Sequence, residues 1–303
     1  MELGIIGLGR MGGNMAQRLL NGGHRVVVYD RDKQAREAAV KKGAIDAGST
    51  TELTQKLNKP RLVWLMVPAG NPTEATVTEL SAVLTSGDII IDGGNSNYKD
   101  SMRRAANLAH ESILFLDVGT SGGIWGLEGG YCLMVGGDIN AFHRVEPVLQ
   151  TLAPSPQSGY GYVGPSGAGH FVKMVHNAVE YGLMEAYAEG FGMMQAKPEF
   201  KLDLVKIAEI WRYGSVVRSW LLDLTAIALK ENPKLEGIQA YVEDTGEGRW
   251  AVAESIDLGI PIPSISLALQ ARFRSRQEQP FGAKLLAALR QQFGGHAVRE
   301  AKR

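Results

Sequence analysis

The chain has one cysteine, Cys132, in 303 residues. A single thiol excludes an intrachain disulfide and a cysteine-rich metal site. Set in "YCLMV", among strand-forming apolar residues, it reads as a buried and inert thiol, because reactivity needs an electropositive, accessible setting. Excess charge is also lacking, since 32 Lys plus Arg balance 32 Asp plus Glu. Nothing in the overall balance draws the chain to nucleic acid or anionic lipid, so any charge-based function is local. The basic run "ARFRSR" (271–276) does not alter that reading in a chain of zero net charge. No stretch reaches the roughly 18 apolar residues of a membrane span. The start, "MELGIIGLGRMGG", lacks the basic residues and unbroken apolar run of a signal peptide. A cytoplasmic protein with no membrane or nucleic-acid partner and no metal is the expectation.

Apolar content of 45% and charged content of 21% are those of an ordinary globular protein, with length enough for two domains. Residues 1–163 alternate short apolar runs with amphipathic segments. "LGII", "RVVVYD", "RLVWLMV", "DIIIDG" and "SILFLDVG" read as strands, each followed by a helical pattern. Strands apolar throughout and alternating with helices predict a parallel sheet covered on both faces, which "YCLMVGG" and "YGYVG" can extend. From 164 to 303 the pattern is helical, with helices expected near 167–196, 203–230, 248–257, 264–276 and 280–292. "IPIPS" (260–264) marks a joint, because its prolines do not fit a helix interior.

The turn Gly7-Leu8-Gly9-Arg10-Met11-Gly12 follows the first strand and opens the first helix. Gly7 makes the tight turn, Gly9 leaves room for a pyrophosphate, and Gly12 permits close helix–strand packing. The helix N-terminus adds free N–H groups for phosphates. Asp30 ends the second strand, eighteen residues after Gly12, where a carboxylate bonds an adenosine ribose. The fold class is therefore α/β: a Rossmann-type doubly wound sheet, then an all-helical domain. Asp30 accepts from a ribose 2′-hydroxyl and repels a 2′-phosphate, which favours NAD over NADP. Arg31 leaves NADP as a weaker option, since its guanidinium can pair with a phosphate, stack on adenine or simply face solvent.

Ligands bind at the carboxyl ends of strands in such sheets. Three segments leave strands there: Val67-Pro68-Ala69, small residues against which a cofactor can lie; "IDGGNS", carrying Asn95; and Ser121-Gly122-Gly123, a hydroxyl and backbone N–H groups suited to a carboxylate. Singly each is a plain turn; together they describe a cleft. In "GHFVKMVHNAVEYG" (169–182), Lys173, His176, Asn177 and Glu180 recur at i, i+3, i+4 and i+7 and share one face of an otherwise apolar helix. A solvated stripe is the plain alternative.

"GLGRMG", "IDGGNS", "SGG" and "GAGHFVKMVHNAVEYG", in that order, resemble the decarboxylating 6-phosphogluconate dehydrogenases over essentially the whole chain, and their short bacterial form in length. The resemblance implies oxidative decarboxylation of 6-phosphogluconate to ribulose 5-phosphate in the pentose phosphate pathway. It makes Lys173 the general base and Glu180 the general acid. Asn95, Ser121, Gly122, Gly123, His176 and Asn177 would hold the carboxylate and hydroxyls, and Tyr181 and Arg272 the phosphate. The tail "RQQFGGHAV" resembles the closing motif of the long form, making Arg290 and His296 site residues that reach into a neighbouring subunit. A homo-oligomer, dimer or tetramer, with an intersubunit site is implied. One departure is Thr245 in "VEDTGEGRW", where the long form has a phosphate-binding lysine; Arg249 is a candidate to compensate.

The chemistry fits these residue types. A lysine acts as base only when neutral, and apolar surroundings favour that form. The β-keto acid so formed loses carbon dioxide once its carbonyl oxygen is protonated, and Glu180 can then deliver a proton to the enediol carbon. Two other readings stay open: a β-hydroxyacid dehydrogenase acting on a small unphosphorylated acid, and a non-catalytic NAD-binding sensor, which would not need Lys173 and Glu180 together.

Overall fold

A computed structural model describes residues 1–299. Eight strands and the intervening helices follow one another along the first half of the chain. They are β1 (Glu2–Ile6), α1 (Arg10–Asn21), β2 (Arg25–Tyr29), α2 (Lys33–Val40), β3 (Ile45–Asp46), α3 (Thr50–Gln55), β4 (Leu62–Leu65) and α4 (Asn71–Ser81). After these come β5 (Ile89–Asp92), α5 (Tyr98–Ala109), β6 (Leu114–Ser121), α6 (Gly126–Gly129), β7 (Cys132–Gly137), α7 (Ile139–Leu152) and β8 (Tyr160–Gly164).

All eight form one sheet in the order β3-β2-β1-β4-β5-β6-β7-β8. Every pairing is parallel except β6 with β7. The expected parallel sheet is thus corrected at one place. A loop holding a single 3₁₀ turn (Gly123–Trp125) and the short α6 returns the chain beside β6, too short for the crossover that a parallel neighbour requires. β1 lies between β2 and β4, so strand order reverses there and opens a crevice at the carboxyl ends.

Two buried clusters cover the two faces, and side-chain alternation sorts residues between them. Leu62, Trp64, Ile89 and Ile91 belong to one cluster, and Val63, Leu65 and Ile90 to the other. Burial on both faces explains why these strands read as unbroken apolar runs.

The helical part comprises α8 (Ala168–Gln195), α9 (Leu204–Trp211), α10 (Trp220–Glu231), α11 (Glu247–Asp257), α12 (Pro263–Ser275) and α13 (Phe281–Gly294). The single helix expected over 203–230 is two. Gly214 at φ +76° interrupts it, and Ser219 starts the second by accepting from the Leu222 N–H. Compactness divides the chain into Met1–Asn177 and Ala178–Arg303, so the division falls within α8. The second unit has its own buried clusters: Phe191, Ala208, Leu222, Ala226 and Leu229 in one, Tyr181, Ala268 and Leu269 in another. Among the described residues, no helix is long and apolar enough to cross a membrane.

Candidate active site

In the first unit, a cavity of about 650 Å³ opens where strand order reverses. Gly7, Gly9, Arg10, Met11, Gly12, Asp30, Arg31, Val67, Pro68 and Asn95 line it. Gly7 adopts φ +93°, a conformation glycine takes without strain. A Cβ added to Gly9 would meet nothing within 4 Å, so the space above it is open to a ligand. A Cβ on Gly12 would instead run into the Gly7 carbonyl and come within 3.0 Å of Met66 Cβ, which makes Gly12 the packing glycine. Leu8 and Ala69 do not line the cavity. Leu8 is buried in the core, and its N–H donates to Asp30 Oδ2 at 2.6 Å. Asp30 therefore also fixes the Gly-rich turn, while its Oδ1 accepts from the Asp32 N–H at 2.8 Å. Sequence reading missed Thr50, Thr76 and Glu79 on the cavity wall. Thr50 begins a six-residue helix after a two-residue strand, too short to leave a periodic signal.

The donor set fits a dinucleotide: an open glycine at a helix N-terminus for the pyrophosphate, and a carboxylate at the end of β2 for the ribose. Asp32 stands at the start of α2, where its side chain caps the Gln34 N–H, adding a second carboxylate beside Asp30.

The loop after β5 is held from below. Buried Asp92 accepts from the Gly94 N–H at 3.0 Å, from Ser96 Oγ at 2.7 Å and from Arg104 Nη1 at 3.4 Å. Arg104 is itself buried and donates to Glu74 at 2.9 Å. This frame presents Asn95 at φ +53°. The Asn95 amide pairs both ways with the Thr120 backbone, accepting from its N–H at 2.9 Å and donating to its carbonyl at 3.0 Å. One N–H and one lone pair of that amide remain for a ligand. Asn95 thereby ties the cavity to the end of β6, where Ser121 is half-buried and Gly122 (φ +132°) and Gly123 (φ +54°) make the turn.

α8 lies against this strand end. Lys173 is 5% exposed, and its Nζ donates to Asn177 Oδ1 at 2.7 Å, with His176 Nδ1 at 3.4 Å. His176 Nδ1 and Asn177 Oδ1 are 3.2 Å apart. Three of the four polar groups of the helix stripe thus form one cluster. Cys132 departs from expectation: it is exposed, because it opens β7 at the sheet end, paired with Ser121. Partial burial of its sulfur pushes the thiol's pKa up, and the nearby Lys173 opposes the rise.

The second unit holds the residues expected to meet a phosphate. Tyr181 is buried, packed against Gly248, and the Arg272 guanidinium lies 3.5 Å from its ring centroid. Arg272 also donates to the Glu243 carbonyl at 2.9 Å, and the Tyr181 hydroxyl accepts from the Thr245 N–H at 3.3 Å. Thr245 Oγ1 donates to Glu247. Arg249 does not take the place of the missing lysine here. Its guanidinium grips Asp244 through two bonds of 2.7 and 3.0 Å, and Arg276 binds the same carboxylate at 2.5 Å. The Arg249 bonds, with Arg276 adding to them, hold the Asp244 carboxyl far below the usual carboxylate range. Glu180, seven residues after Lys173 on α8, is half-buried. Arg290 and His296 are exposed, on α13 and just beyond it. Among the described residues, no group of three or more His, Cys, Asp or Glu is placed to hold a metal ion.

Comparison with known proteins matches both parts of the chain. Residues 2–164 match the family model of the NAD binding domain of 6-phosphogluconate dehydrogenase, and residues 169–282 that of its C-terminal domain. The NAD(+)-dependent, decarboxylating 6-phosphogluconate dehydrogenase of Haloferax volcanii is 43% identical over 299 residues, 98% of each chain. The decarboxylating enzyme of Staphylococcus aureus (strain N315) is 36% identical over 309 residues, 97% of this chain and 66% of that one. Among solved structures, Plasmodium falciparum 6-phosphogluconate dehydrogenase, studied with NADP+ and with 6-phosphogluconate, superposes with a TM-score of 0.84 at 29% identity. That match covers all of this chain and 67% of the other.

Proposed function

The chain belongs to the 6-phosphogluconate dehydrogenase family, and from that premise we propose that it oxidatively decarboxylates 6-phosphogluconate to ribulose 5-phosphate and carbon dioxide, with NAD as the preferred acceptor and NADP a weaker one. The observation that carries the reading is the cluster of buried Lys173 with half-buried His176 and Asn177, in the same compact unit as the dinucleotide cavity and against Gly119 of β6, two residues before Ser121.

Bound NAD supplies the acceptor for a hydride leaving the third carbon of the sugar acid. Lys173 takes the hydroxyl proton, and Asn177 Oδ1 holds its Nζ at 2.7 Å. The substrate is anchored by Ser121, the N–H groups of Gly122 and Gly123, Asn95, His176 and Asn177. Once the ketone has formed, Lys173 returns its proton to the carbonyl oxygen as carbon dioxide leaves. Glu180, two turns further along α8, protonates the enediol carbon, since residues seven apart share a helix face.

Tyr181 and Arg272 take the phosphate: stacking fixes the guanidinium plane and leaves its edge for phosphate oxygens. With Thr245 in place of a lysine and Arg249 held by Asp244, Arg272 bears most of that task within this unit. Arg290 and His296 complete the site of a second copy. Support for an oligomer comes from α13, which has no buried residue yet carries Phe281, Leu285, Leu286, Leu289 and Phe293. A cytoplasmic place in the pentose phosphate pathway belongs to the same proposal.

Initial rates with 6-phosphogluconate, measured separately with NAD and NADP, test the function. Turnover is expected with both nucleotides and higher kcat/KM with NAD. No turnover with either would remove the proposal, and equal turnover of an unphosphorylated 3-hydroxy acid would favour the small-acid reading.

A further inference from the structure

We propose that Asp117 is a positioning residue: from β6, its buried carboxylate caps the N-terminus of α8 and, together with Gly119, sets where that helix holds the Lys173 amine. The functional consequence rests on the reading of Lys173 as the base.

The first N–H groups of a helix have no partner within the helix. Those near the start of α8 find one far away in sequence. Asp117 Oδ1 accepts from the Gly167 N–H at 2.7 Å, and Oδ2 from the His170 N–H at 2.9 Å. Asp117 is fully buried, so no water competes for these bonds. A negative group also suits the positive end of the helix dipole. Most caps come from the residue next to the helix and fix only its local start. This one comes from the sheet, so it fixes the first turns of α8, within the first unit, relative to β6. A second tether acts from α5, where Ser101 Oγ lies 2.7 Å from His170 Nδ1.

Strand alternation puts Asp117, Gly119 and Ser121 on one face of β6. Along that face Asp117 meets the first turn of α8, and Gly119 lies beneath Lys173. A Cβ on Gly119 would run into Lys173 Cβ and lie 2.7 Å from the Gly169 carbonyl oxygen. Gly136 on β7 completes the seat: a Cβ there would lie 2.6 Å from Gly169 N and 2.8 Å from Asp117 Oδ1. The helix therefore rests backbone against backbone, and the carboxylate sets its position along the strand. Lys173 follows His170 by three residues, under one turn, so a shift of the capped turn passes to the amine with little loss. A displacement of about 1 Å at a reacting group can reduce rate on the order of 100-fold.

The test uses full-length Asp117→Asn and Gly119→Ala variants. Asn keeps the volume but turns an N–H₂ toward one of the two helix N–H groups; Ala pushes against Lys173 Cβ and the Gly169 carbonyl while leaving the Asp117 carboxylate itself unchanged. NADH binding, followed by nucleotide fluorescence, reports that the first unit is folded and should stay within about twofold of wild type. With 6-phosphogluconate deuterated at the third carbon, kcat should fall roughly 10- to 100-fold and the primary isotope effect should rise. Cys132, the sole thiol, pairs with Ser121, two residues along β6 from the Gly119 that lies against Lys173, and the Lys173 charge counters the rise in its pKa. The pH profile of its alkylation by iodoacetamide should therefore move toward that of Lys173→Met in both variants. Activity that merely tracks the folded fraction, with isotope effect and alkylation profile as in wild type, would overturn the proposal. Should Asp117→Asn not fold, Gly119→Ala decides alone. If wild type does not turn over 6-phosphogluconate, the functional reading falls, and the alkylation profile still decides whether Asp117 places Lys173.

Discussion

Gly9 and Gly12 lie three residues apart in one turn, yet replacing each with alanine should produce opposite defects. Gly9 has φ −55° and ψ −177°, which alanine adopts, and an added Cβ meets no atom within 4 Å. Its only structural cost is that of a poorer helix cap, roughly 0.5–1 kcal/mol. For a domain of this size that lowers Tm by about 1–4 °C. The same methyl group occupies space where the pyrophosphate must approach, so NADH affinity should drop at least about tenfold, roughly 1.4 kcal/mol. Gly12 faces the opposite situation. Its Cβ would overlap the Gly7 carbonyl and crowd Met66, and a backbone oxygen cannot swing aside. Overpacking of this kind costs about 1–3 kcal/mol, equivalent to roughly 2–12 °C in Tm. Thermal unfolding by circular dichroism, paired with NADH fluorescence titration, separates the two. The reasoning is refuted if Gly9→Ala binds NADH as wild type does, or if it loses as much stability as Gly12→Ala.

Asp30→Asn should narrow the preference for NAD, measured as the ratio of kcat/KM values for the two nucleotides; an unchanged ratio would mean that Asp30 serves the Leu8 turn and not the ribose. Lys173→Met should abolish NADH formation, whereas Glu180→Gln should slow turnover but leave some, because water can protonate the enediol; equal losses would contradict the assigned roles. The Arg103 bonds, opposed by burial and reinforced by Arg104, bring the Glu74 carboxyl down from its ordinary 4.5 to about 2. A depressed carboxyl contributes stability above its unfolded value and loses it as pH falls through its folded value. Stability should therefore decline between pH 4.5 and about 2, and Glu74→Gln should flatten that decline in urea titrations; an identical slope would show that Glu74 plays no part.

The fold was most legible where each signal was local. The first strand, Gly-rich turn, first helix and Asp30 occupy thirty consecutive residues, and each type has one physical task. The Lys173, His176 and Asn177 cluster was equally visible, because helix periodicity alone brings those positions together. Tertiary effects were not. β3 has two residues and no readable period. The antiparallel turn into β7 lacks a tight-turn signature, since α6 fills it. Cys132 looked buried because its neighbours are apolar, but the end of a strand lets a side chain reach the surface. Asp117 was missed because "FLDVG" reads as the end of a strand, and its partners lie 50 and 53 residues further on. Arg249 appeared available for a phosphate until Asp244 proved to hold it.

The most direct measurement supplies 6-phosphogluconate labelled at its first carbon, with NAD, and counts labelled carbon dioxide against NADH formed. One carbon dioxide per NADH is the expected result. NADH without labelled carbon dioxide, or neither product, would contradict oxidative decarboxylation by this chain.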